Sequence, residues 1–121
     1  MKCIAHRGYS IDRIDNSIDA IQEAVHRSYD GVEIDVQLCA SGEIVLFHDV
    51  YVGEQFISDL CLNELKQLGI CSLQDVYDQI RLHSLLLYTK SQMLLDQVRH
   101  STIRERRFPS RGVKTLSVAI Q

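Results

Sequence analysis

Residues 31–38 read Gly-Val-Glu-Ile-Asp-Val-Gln-Leu, and this stretch decides the fold class. Apolar and polar residues alternate along it, which is typical of a β-strand that buries one face. We expect one strand from Val32 to Leu38, with Glu33, Asp35 and Gln37 together on its polar face.

The segments around this strand predict further strands and a helix. Residues 2–6 form a short buried strand, and residues 40–43 a hairpin-like turn. Residues 44–47 form a third extended run that ends at His48. Apolar residues at helical spacing predict an amphipathic helix that ends near Ser28; they are Ile14, Ile18, Ile21 and Val25. The candidates for its N-terminal cap are Asp15, Asn16 and Ser17.

The rest of the chain continues the alternation of helix and strand, with a weaker pattern towards its end. Residues 50–60 predict a loop or short lid, and residues 85–88 an apolar strand. Two helical segments, 62–68 and 73–80, are separated at Gly69, and Ser72 is a plausible cap. Further on we expect a polar helix over 92–107, a break at 109–112 and a last strand over 115–120. Strands that alternate with helices are typical of a parallel α/β sheet.

The composition is that of one soluble globular domain. The chain has 121 residues, of which 45 % are hydrophobic. No apolar run reaches the roughly 18 residues of a membrane span, and the N-terminus has no signal-like segment, so we expect a cytoplasmic protein. The four cysteines lack C-x-x-C spacing, which argues against a zinc site and favours reduced thiols.

Charge is distributed unevenly along the chain. Residues 1–87 contain six basic and 14 acidic residues, whereas residues 88–121 contain seven basic and two acidic ones. A basic tail can bind nucleic acid, or it can be a solvated end lying against an acidic body. Apart from Phe108, no aromatic residue lies among these charges, so we favour the second interpretation and expect no nucleic-acid partner.

Two histidines and an arginine lie at the ends of the predicted strands. His6 and His48 each follow an apolar run, and imidazole exchanges protons near neutral pH. Arg7 offers a planar set of donors for a phosphate group, and Asp49 is placed to orient His48. Asn16 either donates to a substrate or, as the simpler interpretation, caps the helix.

The paired carboxylates allow two interpretations. Glu33 and Asp35 are two residues apart on one strand, so both can reach a hard cation such as Mg²⁺ or Ca²⁺. The same spacing also suits an outward-facing, solvated polar face. In the first case these residues would support metal-assisted acid–base chemistry on a phosphate ester.

Four blocks in this order resemble the opening half of the glycerophosphodiester phosphodiesterases. They are Ala5-His6-Arg7-Gly8, Asp15-Asn16-Ser17, Glu33-Ile34-Asp35-Val36 and Phe47-His48-Asp49. The segments 62–66 and 72–76 also resemble that family, so the match covers about residues 3–81. The resemblance implies a partial, truncated TIM-type β/α barrel containing the first three to four β/α units. Residues 1–87 would be the N-terminal half of the domain, and 88–121 a divergent basic C-terminal segment of it.

The resemblance also implies an activity and a set of roles. The family hydrolyses glycerophosphodiesters to an alcohol and glycerol 3-phosphate with a divalent cation, Mg²⁺ or Ca²⁺, within lipid and glycerol metabolism. By position, His6 and His48 would be the acid–base pair, and Glu33 and Asp35 the metal ligands. Substrate phosphate would contact Arg7 and Lys90, with Asn16 and Asp49 in support.

Two departures from the family pattern point to an alternative. The family's Glu-x-Lys motif corresponds to Tyr88-Thr89-Lys90, so a phenol replaces a carboxylate that would complete the metal site. A full barrel needs about 250 residues, and an open half-barrel must cover its edge by self-association or else misfold. We therefore also consider an inactive truncated remnant or a phosphate-binding pseudoenzyme, truncated or frame-shifted past about residue 90.

Overall fold

Short strands and helices follow one another along the chain. In the computed structural model, residues 3–80 are described with their side chains, and three later strands by their backbone. In chain order the elements are β1 (Ile4–His6), α1 (Ile18–His26), β2 (Gly31–Glu33), β3 (Val36–Leu38), β4 (Ile44–Leu46), β5 (Tyr51–Val52), β6 (Gln55–Phe56), a 3₁₀ turn (Ile57–Asp59), α2 (Leu62–Gln67), α3 (Leu73–Gln79), β7 (Leu85–Thr89), β8 (Arg104–Arg107) and β9 (Leu116–Ile120).

Three parallel strands open a five-stranded sheet in the order β1-β2-β7-β9-β8. β2 lies between β1 and β7 and runs parallel to both. The register places His6 beside Glu33 and Glu33 beside Tyr88, so these three positions form a row at the carboxyl ends of the strands. The prediction of a parallel α/β unit is confirmed for these strands.

The sheet does not continue as a barrel. β9 runs antiparallel to β7, and β8 antiparallel to β9, so the described strands form no closed barrel and no fourth parallel strand. The predicted helix over 92–107 is wrong for Arg104–Arg107, which form β8; residues 92–103 lie outside the described part of the chain. By pairing with β9, residues 104–107 satisfy backbone hydrogen-bonding groups along the edge of that strand. This gain outweighs the weak helical pattern of their sequence.

The predicted single strand from Val32 to Leu38 is in fact two strands. β2 pairs in the main sheet, whereas β3 forms an antiparallel hairpin with β4. The change occurs at Asp35, whose N–H bonds the Asn16 side chain and whose carbonyl accepts from Phe47 N at 3.0 Å. His48 therefore follows a strand of an antiparallel hairpin, in line with the predicted turn at residues 40–43, and not a strand of the parallel sheet.

Local signals at the helix ends are largely as predicted. Ser17 caps α1 by accepting from Ala20 N, but Ile14 lies outside the helix and is 78 % exposed. In α3, Ser72 Oγ accepts from Asp75 N while the Asp75 carboxylate accepts from Ser72 N, which forms a capping box. None of the helices in the described residues is long and apolar enough to cross a membrane.

Two apolar clusters hold these elements in place. The larger one packs α1 and α3 against the first strands around Ile21, Val32 and Val76, which are fully buried. The smaller one lies under the second hairpin and α2, around Val45 and Leu65. Burying such a side chain contributes about 1.5–3 kcal/mol. The four cysteines are not paired with one another; Cys39 is buried and Cys3 is exposed.

Gly8 allows the turn after β1 to lie directly on α1. It has φ +86°, and a Cβ there would come within 2.7 Å of Ala20. Gly42 has nearly the same φ, +89°, with open space around it. We expect Gly42→Ala to lower the free energy of unfolding by about 1–2 kcal/mol through backbone strain alone. Gly8→Ala should cost at least about 1 kcal/mol more, because the overlap with Ala20 adds to the strain.

Urea unfolding of the two variants beside the parent chain measures this difference. If Gly8→Ala and Gly42→Ala lower the free energy of unfolding equally, α1 shifts away from residue 8 without a cost in packing, which contradicts the prediction.

Candidate active site

The site begins with the row of residues at the ends of β1 and β2. His6 and Glu33 are register partners, and His6 Nε2 lies 3.8 Å from Glu33 Oε1. The His6 side chain is 63 % exposed, so its ring can reach a ligand and exchange a proton with it. On the other side of Glu33, its register partner in β7 is Tyr88, the residue that stands where the family pattern has a carboxylate.

Arg7 turns away from β1 into a cluster of carboxylates. Its backbone is left-handed, with φ 57°, and its N–H donates to Glu33 O at 2.7 Å. The guanidinium lies 3.0 Å from Asp35 Oδ2 through Nε and 3.2 Å from Asp15 Oδ2 through NH1. A left-handed conformation is unfavourable for arginine, and such strain is most often held at functional sites. Arg7 is therefore fixed in place before any ligand binds.

Asn16 joins three segments of the site and does not cap α1. Its side chain is buried, Oδ1 accepts from Asp35 N at 3.0 Å, and Nδ2 donates to Asp35 Oδ2 at 3.1 Å. Its own N–H donates to Arg7 O at 2.9 Å, and the Cys71 thiol donates to its carbonyl at 3.4 Å. Burial raises the pKa of Cys71 to about 11, so this thiol stays protonated at neutral pH. The interpretation of Asn16 as a simple cap is wrong, because Ser17 holds that position.

Asp15 contributes a carboxylate to Arg7, a contact that the sequence did not reveal. A hydrogen bond from Ser10 is the largest effect on the pKa of Asp15 and lowers it. Burial raises this pKa, and the contact with Arg7 lowers it again, so that the pKa lies below its usual value. Asp15 was expected to matter only as a cap candidate at the start of α1. The Arg7 contact is visible only once the turn between β1 and α1 brings the two side chains together.

His48 and Asp49 form a second pair on the neighbouring loop. His48 Nδ1 lies 2.7 Å from Asp49 Oδ1, which leaves Nε2 as the ring nitrogen available to a ligand. The side chains are 54 % and 69 % exposed. The loop is tied to β3 by Gln37, whose amide donates to the carbonyls of Phe47 and Asp49. Gln37 had no predicted role, although the alternation did place it on the face of Glu33 and Asp35.

Glu33 and Asp35 offer the type of ligand that a hard cation prefers, but two side chains are too few to fill its coordination shell. Glu33 and Asp35 supply only oxygen, which Mg²⁺ and Ca²⁺ prefer. Among the described residues, no group of three His, Cys, Asp or Glu side chains could hold a metal ion. Asp35 is already paired with Arg7, and Glu33 faces His6. The remaining ligands of a cation would have to come from water, substrate or residues outside the described part. Lys90, predicted to contact phosphate, lies outside it as well.

The sequence profile of the glycerophosphoryl diester phosphodiesterase family matches residues 6–121. The chain belongs to this family. The match extends past residue 81, where the recognisable motifs end, to the last residue of the chain.

Individual relatives match a part of their own length. A glycerophosphodiester phosphodiesterase of Caldanaerobacter subterraneus is 43 % identical over 70 residues, which are 54 % of this chain and 29 % of the relative. The crystal structure of a glycerophosphodiester phosphodiesterase from Thermotoga maritima is 27 % identical with a TM-score of 0.68, over 82 % of this chain and 48 % of that one.

A third similar protein was solved with a bound product. An Oleispira antarctica phosphodiesterase in complex with sn-glycerol-3-phosphate is 28 % identical with a TM-score of 0.66, over 74 % of this chain and 43 % of that one. The chain thus spans less than half the length of these relatives.

The bonds between Asn16 and Asp35 predict a large effect of an isosteric change. In Asn16→Asp a second carboxylate would face Asp35 and could no longer donate to it. We expect the free energy of unfolding at pH 7 to fall by about 2–3 kcal/mol, because two largely buried carboxylate oxygens would face each other with no hydrogen between them. The control Asn63→Asp makes the same change at an exposed position in the first turn of α2 and should stay within about 0.5 kcal/mol. Equal effects in urea unfolding would contradict the central role of Asn16.

The lowered pKa of Asp15 predicts a pH-dependent contribution to stability. A carboxyl whose pKa is lower in the folded state stabilises the fold above its unfolded pKa, 3.8, and loses this effect as pH falls through the folded value. The parent chain should therefore exceed Asp15→Asn in stability at pH 6, and the difference should shrink below about pH 4. Urea unfolding from pH 7 to pH 3 tests this, and a difference independent of pH would contradict it.

Proposed function

We propose that this chain carries the first part of a glycerophosphodiesterase active site, which hydrolyses a glycerophosphodiester to an alcohol and glycerol 3-phosphate with the help of a divalent cation. The observation that carries the proposal is the convergence of His6, Arg7, Glu33 and Asp35 at the carboxyl ends of two parallel strands. Ligands of α/β sheets bind at this end of the strands. Family membership and a relative solved with sn-glycerol-3-phosphate support the same substrate class.

In this mechanism Arg7 binds the phosphate and stabilises the charge that develops on it. Its guanidinium is oriented in advance by Asp15 and Asp35, so little entropy is lost when the substrate arrives. A cation at Glu33 and Asp35 would polarise the phosphoryl oxygens. Lys90 would add a second positive charge.

The two histidines exchange the protons of the reaction. One imidazole accepts a proton from the attacking hydroxyl, which belongs to water or to the substrate's glycerol, while the phosphorus–oxygen bond to the alcohol breaks. The other imidazole donates a proton to the departing alkoxide. When the glycerol hydroxyl attacks, this step gives a cyclic phosphodiester, and a water molecule then attacks its phosphorus and opens the ring to give glycerol 3-phosphate. The Asp49 contact at Nδ1 favours a His48 whose Nε2 faces the substrate.

A second candidate function is binding of a phosphorylated small molecule without turnover. Tyr88 stands beside Glu33 in the register, and a phenol is a poor ligand for a hard cation at neutral pH. Fewer anionic ligands weaken cation binding, whereas Arg7 would still bind phosphate. An inactive remnant of the family fits the same observation.

A further part of the proposal is self-association. β1 is the outer strand of the sheet, and its free edge would be covered by a second copy of this chain. The cytoplasmic location and the absence of a nucleic-acid partner stay predictions from the sequence.

Release of glycerol 3-phosphate from glycerophosphocholine tests the proposed function. We expect turnover with Mg²⁺ or Ca²⁺ that EDTA abolishes. His6→Ala should lower kcat/KM by about 10²–10⁴-fold, the usual contribution of a general acid or base. His26→Ala is the matched control at an exposed position in α1 and should change kcat/KM by less than about twofold. Light scattering on the same samples gives the oligomeric state.

An inactive but folded chain would favour the second candidate function. In that case glycerol 3-phosphate should raise the melting temperature of the parent chain and not that of Arg7→Ala, because only the native state binds it. No shift with either protein would leave the remnant interpretation.

A further inference from the structure

The loop that carries His48 is anchored at Phe47, which packs against the smaller apolar cluster, and at Val50, whose carbonyl accepts from Ile57 N at 2.9 Å. His48 and Asp49 are more than half exposed, and neither belongs to an apolar cluster. Their mutual hydrogen bond fixes the ring relative to Asp49, but it does not fix the pair relative to the sheet. A group that exchanges protons must be held within a fraction of an ångström of its working position. Something outside the pair has to provide that restraint.

Gln37 holds the loop on both sides of His48. Its Nε2 donates to Phe47 O at 2.9 Å and to Asp49 O at 2.8 Å, which are the carbonyls of the two residues that flank His48. Only the NH₂ end of the amide can serve two carbonyl oxygens, so the acceptors themselves determine which end of Gln37 faces the loop. Both hydrogens of one nitrogen are thus used to hold the backbone on either side of His48.

The anchor of this contact is rigid. Gln37 is the central residue of β3 and pairs with Val45, which is fully buried. Two residues before Gln37, the carbonyl of Asp35 accepts from Phe47 N at 3.0 Å. The loop is therefore bonded both to Asp35 and to Gln37. The loop therefore moves with β3, and β3 follows directly on the strand that carries Glu33.

We propose that Gln37 is a positioning residue for His48, which holds the loop so that the imidazole is in place for proton transfer to or from the substrate. The inference rests on the proposed function for its kinetic consequence, and on the geometry of the hairpin for the placement itself. Gln37 touches neither substrate nor reacting atoms. It acts through the backbone on both sides of His48.

Two variants separate the placement of His48 from general stability of the hairpin. Gln37→Glu keeps the shape but turns an acceptor towards two carbonyls, so the loop is repelled. Gln37→Met keeps the length and apolar stem and removes both donors without adding charge. Gln22→Glu, at an exposed position in α1, is the control for the charge change. Melting temperatures confirm that each variant is folded.

The first readout is the NMR signal of the His48 ring in the full chain labelled with ¹³C-histidine. His48→Asn identifies the signal by its loss. In both Gln37 variants we expect the His48 signal to move towards that of the exposed His26, while the His6 signal keeps its position. Gln22→Glu should leave all of them in place.

The second readout is the split between kcat and KM for glycerophosphocholine. A displaced imidazole should lower kcat by about tenfold to a hundredfold and leave KM within about threefold, because proton transfer suffers and phosphate binding at Arg7 does not. An unchanged His48 signal in the folded variants overturns the proposal, as does an unchanged kcat in an active chain. If the parent chain shows no turnover, the proposed function fails, and the NMR signal alone decides whether Gln37 positions His48.

Discussion

The pair of hydrogen bonds between Asn16 and Asp35 is the constraint on which the rest of the structure depends. An amide buried at this position must find partners, since an unsatisfied one costs more than the bond contributes. By taking the N–H of Asp35, Asn16 ends the parallel pairing of β2 and sends the chain into the hairpin. By donating to Arg7 O, it also closes the turn after β1. One residue thereby links the segment after β1 through its backbone and the segment after β2 through its side chain.

The polar side chains of residues 33–37 contact each part of the candidate site. Each of them contacts a different part: Glu33 faces His6, Asp35 pairs with Arg7, and Gln37 holds the loop of His48. The apolar residues between them are buried in the core. The positions of His6 and His48, the proposed acid–base groups, are therefore tied to the same segment that packs the interior.

Much of the fold follows from local signals, and the errors come from contacts distant in sequence. The Ser72 cap, the turn at residues 40–43 and the apolar strand β7 depend on neighbours in the chain, and each was predicted. The end of β2 after Glu33 depends on the hydrogen bond between Asp35 and the side chain of Asn16, 19 residues earlier in the chain. The alternation of apolar and polar residues carries no information about such a contact. β8 depends on the free edge of β9. His6 and Glu33 were each predicted as site residues, but their shared register comes from the sheet, and the contact between Gln37 and the loop required the hairpin.

The pairing of Arg7 with two carboxylates has a consequence for selectivity among ligands. The guanidinium already has Asp15 and Asp35 as partners, so under the proposed function an incoming anion would replace one negative partner with another instead of meeting an isolated positive charge. A neutral ester would offer no charge in exchange and would leave a carboxylate without its partner as it enters. Such a site would discriminate by competition between anions, with its own carboxylates as the standing competitors.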